Sequence, residues 1–64
     1  MPYIMVNLLE GRTIEQKREF VKEATQAAVK HFRVDPQTVI VVFNEAKDVN
    51  FAKAGVLRSD QKQE

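Results

Sequence analysis

The chain contains no cysteine and no tryptophan, and among its 64 residues there are only one histidine, two glycines and two prolines. Without cysteine, disulfides and thiolate metal sites are excluded. One histidine, His31, makes a His-rich metal site impossible within a single chain. No stretch reaches the apolar length of a transmembrane helix, and the first residues lack the basic and apolar regions of a signal peptide. A soluble, cytoplasmic protein with no membrane partner is therefore expected. An excess of one charge sign is also missing. Ten basic and nine acidic side chains, interspersed, give a net charge of +1, whereas nucleic-acid binders concentrate basic charge on one face. No nucleic-acid partner is expected. Phosphate-binding glycine loops, nucleophile elbows and metal-ligand spacings are absent too, so any enzymatic chemistry is expected to run with no cofactor and no metal.

A chain this short makes one domain, residues 1–64, and a globular monomer of such size buries only roughly 60 % of the surface its unfolded form exposes. Small chains compensate with disulfides, a metal or association. With the first two removed, association remains, and a homo-oligomer is expected.

What is present falls into three apolar segments. Tyr3 to Leu9, rich in β-branched and aromatic types, reads as a strand, broken by Glu10-Gly11-Arg12, where glycine supplies freedom to turn. Thr13 and Gln16 have the spacing of a capping box, and Glu15 suits the positive end of a helix dipole. Ile14, Phe20, Val21, Ala24, Ala28 and Phe32 then recur at helical intervals, with Ala27 beside them, predicting an amphipathic helix of about five turns. Lys30, His31 and Arg33 suit its negative end, and Asp35-Pro36 is expected to stop it. Val39–Phe43 is a continuous β-branched and aromatic run. Its lack of alternation predicts a strand covered on both faces, one by the helix and the other by a partner subunit. After Asn44-Glu45 the chain loosens. Phe51–Leu57 suggests a short hairpin or an arm against a neighbour, and residues 58–64 read as a frayed polar tail.

Strand, helix and strand in this order make a single β-α-β unit of the α+β class, with parallel strands joined by a right-handed crossover. Two strands are a poor sheet, so dimerisation is expected to complete a four-stranded one.

Three residues carry candidate chemistry. A Met-Pro start is usually of no consequence, since proline sits well on a strand's first residue. With Met1 removed, however, Pro2 becomes a rigid secondary amine beside an apolar strand. Desolvation and nearby cations then disfavour its protonated form, and a neutral amine can act as general base and return the proton as an acid. Arg12 is either a solvated charge or a guanidinium fork for a carboxylate. Phe51 is either an interface aromatic or a pocket wall. His31 reads as a helix-end cation, and the scattered carboxylates form no recognisable acid/base pair.

Met1-Pro2, the strand ending Leu9-Glu10-Gly11-Arg12, the helix opening Thr13-Ile14-Glu15-Gln16-Lys17, the Val39–Phe43 strand with Asn44-Glu45, and Phe51 followed by Ala54-Gly55 together resemble the 4-oxalocrotonate tautomerase family. The resemblance covers nearly the full chain except the polar tail. It implies a β-α-β protomer paired into a four-stranded sheet backed by two helices, and a hexamer built as a trimer of dimers. It further implies loss of Met1 and a cofactor-independent tautomerase that moves a proton between carbons of an enol or unsaturated 2-oxo acid. Pro2 would be the base and acid. Arg12 would bind the carboxylate of the enol or keto substrate from a neighbouring subunit, and Phe51 would supply an apolar wall that keeps the amine neutral. One position departs from the pattern. Where the family's best-known members place a second active-site arginine, this chain has Ile40, removing an electrostatic contribution on the order of 3 kcal/mol. Backbone donors, ordered water, or another cation such as Lys47 or Lys53 are the candidate replacements, and the expectation is a weaker or altered tautomerase activity, for example on a monocarboxylate such as a phenylenolpyruvate-like enol. Two alternatives stand beside this reading: a hydratase or dehalogenase of unsaturated acids using a protonated proline, and a non-catalytic oligomeric binding protein of the same fold.

Overall fold

A computed structural model describes residues 1–61. Strand β1 (Tyr3–Leu9) leads into helix α1 (Ile14–Phe32), strand β2 (Ile40–Ala46) returns beside β1, and two short strands follow, β3 (Ala52–Lys53) and β4 (Val56–Leu57). β1 and β2 pair in parallel, as the β-α-β reading requires, with Tyr3 opposite Ile40, Val6 opposite Phe43 and Leu8 opposite Glu45. Period-2 alternation then sorts the side chains. Ile4, Val6, Leu8, Val41 and Phe43 share the face beneath α1, where the Phe20 and Phe43 rings lie 6.0 Å apart. Tyr3, Met5, Asn7, Ile40, Val42 and Asn44 share the other face.

The helix starts where its capping box sets it. The Thr13 amide donates to Gln16 Oε1 at 2.9 Å, and the Gln16 amide donates to Thr13 Oγ1 at 3.1 Å. Its end differs from expectation. Asp35-Pro36 does not stop it; Arg33 does, three residues before the proline, by taking a left-handed conformation (φ 56°, ψ 51°) in which its amide still donates to the Val29 carbonyl. Asp35-Pro36 opens a separate 3-10 turn, Pro36–Thr38.

β2 also differs from the expected Val39–Phe43. It begins at Ile40 and runs on through Asn44 and Glu45, because these residues pair with Asn7 and Leu8 of β1. A second 3-10 turn, Asp48–Asn50, precedes the β3–β4 hairpin. Ala54 (φ 54°) and Gly55 (φ 82°) form its tip; positive φ at both central residues is what a type I′ turn requires. In the tail expected to be frayed, Arg58–Asp60 form a 3-10 turn instead, while residues 62–64 lie outside the described residues.

The protomer has almost no interior of its own. Ala28, at 5 % exposure, is the one buried hydrophobic residue among those described, while Tyr3 and Met5 on the outer sheet face, and Ile14, Phe20 and Phe32 on the helix, remain exposed. Its surface of 5425 Å² compares with about 4,200 Å² for a compact monomer of this length. The radius of gyration, 15.4 Å, compares with about 11 Å. The surplus area is larger than the roughly 800 Å² that one partner contributes to a standard interface. Among the described residues, neither outer edge of the β1–β2 sheet is paired. No helix among the described residues is long and apolar enough to cross a membrane.

Candidate functional site

Pro2 is half-buried at the start of β1. Its carbonyl accepts the Ile40 amide at 3.0 Å, so the first residue after Met1 is tied to the sheet by β2. Arg12 lies past the other end of the same strand. Gly11, at φ 128°, makes the turn between them, a conformation that side chains with a Cβ rarely adopt. The seven residues of β1 span roughly 20 Å at about 3.3 Å per residue. One chain therefore cannot bring the Pro2 nitrogen and the Arg12 guanidinium to a common small molecule.

Phe51 sits at the Arg12 end. It lines a cleft of about 290 Å³ with Leu8, Leu9, Asn7, Asn44, Glu45 and Ala46. Arg12 lines three adjoining clefts. The largest, about 680 Å³, is shared with Lys17, Glu45, Lys47 and Asp48. Another, about 160 Å³ and almost wholly apolar, runs under the helix beside Val6, Leu8, Phe20 and Phe43. The third, about 370 Å³, is lined also by Leu8, Leu9, Glu10, Asp48 and Arg58. Of the three sequence candidates, Arg12 and Phe51 thus share one end of the sheet, and Pro2 occupies the other.

The charges at the Arg12 end are mostly committed. Lys17 Nζ is 2.7 Å from Glu45 Oε2, with both side chains about a quarter to a third exposed, and lies 5.7 Å from the Phe43 ring centre. Arg58 Nε is 3.5 Å from Asp48 Oδ1, and Arg18 pairs with Glu15. Among the described residues Arg12 pairs with no carboxylate, so its fork is free for an incoming anion. Lys47 lines the same large cleft. Lys53, the other candidate replacement cation, lies in β3 of the hairpin. His31, exposed as expected, borders an apolar groove with Ile4, Ala24, Ala27, Ala28 and Phe32. Among the described residues no three His, Asp or Glu side chains converge as they would around a metal ion.

Two charged residues that line these clefts, Glu45 and Arg58, carry little signal in the sequence. Glu45 reads as part of the break after β2, yet two-residue steps from Val41 and Phe43 place it on the helix face. Arg58 reads as tail; its only local signal is that it directly follows the apolar Val56-Leu57 pair.

Comparison with known proteins meets this geometry. A family profile described as tautomerase enzyme matches residues 2–61, beginning at Pro2. A probable tautomerase of Staphylococcus aureus strain Mu50 is 43% identical over 61 residues, covering 95% of this chain and 100% of its own. A solved 4-oxalocrotonate tautomerase homologue superposes with a TM-score of 0.94 at 36% identity, covering 98% of this chain and 100% of that one. A heterohexamer 4-oxalocrotonate tautomerase from Chloroflexus aurantiacus superposes with a TM-score of 0.83 at 26% identity, covering 97% and 100%.

Proposed function

The chain belongs to the tautomerase family, and on that premise we propose that it is a cofactor-independent keto–enol tautomerase in which Pro2, freed of Met1, is the base. The observation that carries the proposal is the placement of Pro2, tied at its carbonyl and followed by an apolar strand, at the first residue that the family profile covers. A secondary amine held rigid there accepts a proton from an enol hydroxyl or an acidic carbon of the substrate. It then returns the proton to the carbon that becomes saturated, and the keto acid results. No net redox change occurs, and no group is transferred other than the proton.

The distance between Pro2 and Arg12 gives the proposal its second element, a site shared between subunits. β1 has an edge that is unpaired among the described residues; it carries no charged residue from Tyr3 to Leu9 and so lacks the usual protection of an exposed edge. Pairing with a second copy about a two-fold axis is necessarily antiparallel. It brings Pro2 of one chain beside the Leu9–Arg12 end of the other, and Phe51 with it. The substrate carboxylate is then gripped by the partner subunit's Arg12 while Pro2 works at the other end of the molecule. Three such dimers would give the hexamer, and the outer sheet face (Tyr3, Met5, Ile40, Val42) is the surface that remains to be covered. Ile40, opposite Tyr3 in register and bonded to the Pro2 carbonyl, puts an aliphatic side chain where a charge would favour a second carboxylate. An arylenolpyruvate-type monocarboxylate is the substrate class that fits.

Two measurements test this. Intact mass of the purified protein should fall short of the encoded chain by one methionine residue, because a retained Met1 leaves Pro2 as an amide nitrogen without a basic lone pair. Ketonisation of phenylenolpyruvate should show a rate that falls as pH drops and the amine becomes protonated. A rate that falls instead as pH rises, with water added to an unsaturated acid, would assign the chain to hydration chemistry.

A further inference from the structure

The cleft lined by Leu8, Leu9, Glu10, Arg12, Asp48 and Arg58 has two arginines in its wall. We propose that Arg58 is a second carboxylate-binding residue of the Arg12 subsite, held by Asp48 until a substrate carboxylate displaces it; this rests on the tautomerase reading only for what the carboxylate belongs to.

Three observations support it. The Arg58–Asp48 contact is long, 3.5 Å, and is made through Nε, with side chains 41 % and 61 % exposed. An exposed, imperfect pair of this kind is weak and readily exchanged. The contact engages one nitrogen and leaves the two terminal nitrogens of the guanidinium for another acceptor. Arg58 is also fixed at its backbone, where its amide donates to the Phe51 carbonyl at 2.7 Å. A residue that lines this cleft is thus tied by its backbone to Phe51, which lines the neighbouring one. The cleft, about 370 Å³, is within the usual range for small-molecule sites.

As it stands the cleft is electrically balanced, Arg12 and Arg58 against Glu10 and Asp48. A carboxylate entering between the two guanidinia takes over the part that Asp48 plays in its absence. Asp48 is therefore a competitor of the substrate, which separates this proposal from a purely structural clasp. Under a structural role, cutting the pair from either side has the same effect. Under the proposal the two cuts act in opposite directions.

The test is binding of phenylpropanoate, a carboxylate with no enolisable ketone, to the assembled protein by calorimetry, beside steady-state ketonisation of phenylenolpyruvate. Arg58→Gln should weaken phenylpropanoate binding and raise KM by about tenfold, with kcat little changed and Arg58→Lys recovering part of the loss. Asp48→Asn should tighten binding and lower KM severalfold, and Glu10→Gln should act in the same direction as Asp48→Asn. Unchanged affinity in Arg58→Gln, or weaker affinity in both Arg58→Gln and Asp48→Asn, overturns the assignment. If Arg58→Gln does not assemble, Asp48→Asn decides alone, since it keeps Arg58. Absence of ketonisation together with Arg58-dependent phenylpropanoate binding would remove the tautomerase reading and leave the carboxylate subsite standing.

Discussion

Assembling two inactive variants into one oligomer should restore activity, and the amount is set by symmetry. In a β1-paired dimer each of two equivalent sites takes Pro2 from one chain and Arg12 from the other. A dimer of Pro2→Ala with Arg12→Gln therefore contains one site with both residues intact and one site with neither. Random pairing of equal amounts makes about half the dimers mixed, each with half its sites restored, so about a quarter of wild-type activity should return. Because Ala28 is the one buried hydrophobic residue among those described in the protomer, exchange requires co-expression or unfolding and joint refolding rather than simple mixing. The assay is ketonisation rate per chain, normalised by native mass spectrometry of the mixed species. Activity no higher than the mean of the two parents would mean that Pro2 and Arg12 act from one chain. It would refute the placement argued from the roughly 20 Å length of β1.

Other consequences concern stability and assembly. Arg33 holds a left-handed conformation at the end of α1, and Arg33→Gly should stabilise the protein by up to about 1 kcal/mol, read as a higher Tm at fixed chain concentration. Ala54→Asn, which gives the hairpin tip the Asn-Gly pair preferred in type I′ turns, should raise Tm as well. Removing the Lys17–Glu45 pair with Lys17→Met should cost about 1 kcal/mol, more than the loss from Arg18→Met in the exposed Glu15 pair; comparable losses would show the partly buried position to be irrelevant. Met5→Lys, which charges the outer sheet face, should dissociate the assembly and unfold the protomer together, visible as coincident loss of native mass and of circular dichroism.

The elements that the sequence announces are those whose signals are local. The Tyr3–Leu9 strand, the Thr13–Gln16 capping box and the hairpin within Phe51–Leu57 each depend on residues a few positions apart, and each lies where its residues place it. The end of β2 is misplaced because a distant partner decides it. Asn44 and Glu45 are poor strand formers, and β1 alongside draws them into the ladder. Arg33 ends the helix without the glycine that usually marks such a stop. The site follows the same rule. Arg12 and Phe51 share one end of the sheet because parallel pairing carries the ends of β1 and β2 to one side, and Arg58 lies there too, in a contact with Asp48 that spacing does not disclose. Resemblance named Pro2, Arg12 and Phe51 as a group. The fold adds that a single chain holds them at two separate ends.

Everything in the proposed chemistry passes through the nitrogen of Pro2, so the most direct measurement is kcat for enol-to-keto conversion by Pro2→Ala in the intact assembly, with loss of Met1 verified by mass. A flexible primary amine in place of the rigid secondary one should lower kcat by a factor on the order of 10²–10⁴, the usual contribution of a positioned general base. A kcat within a few-fold of wild type would contradict the assignment of Pro2 as the base.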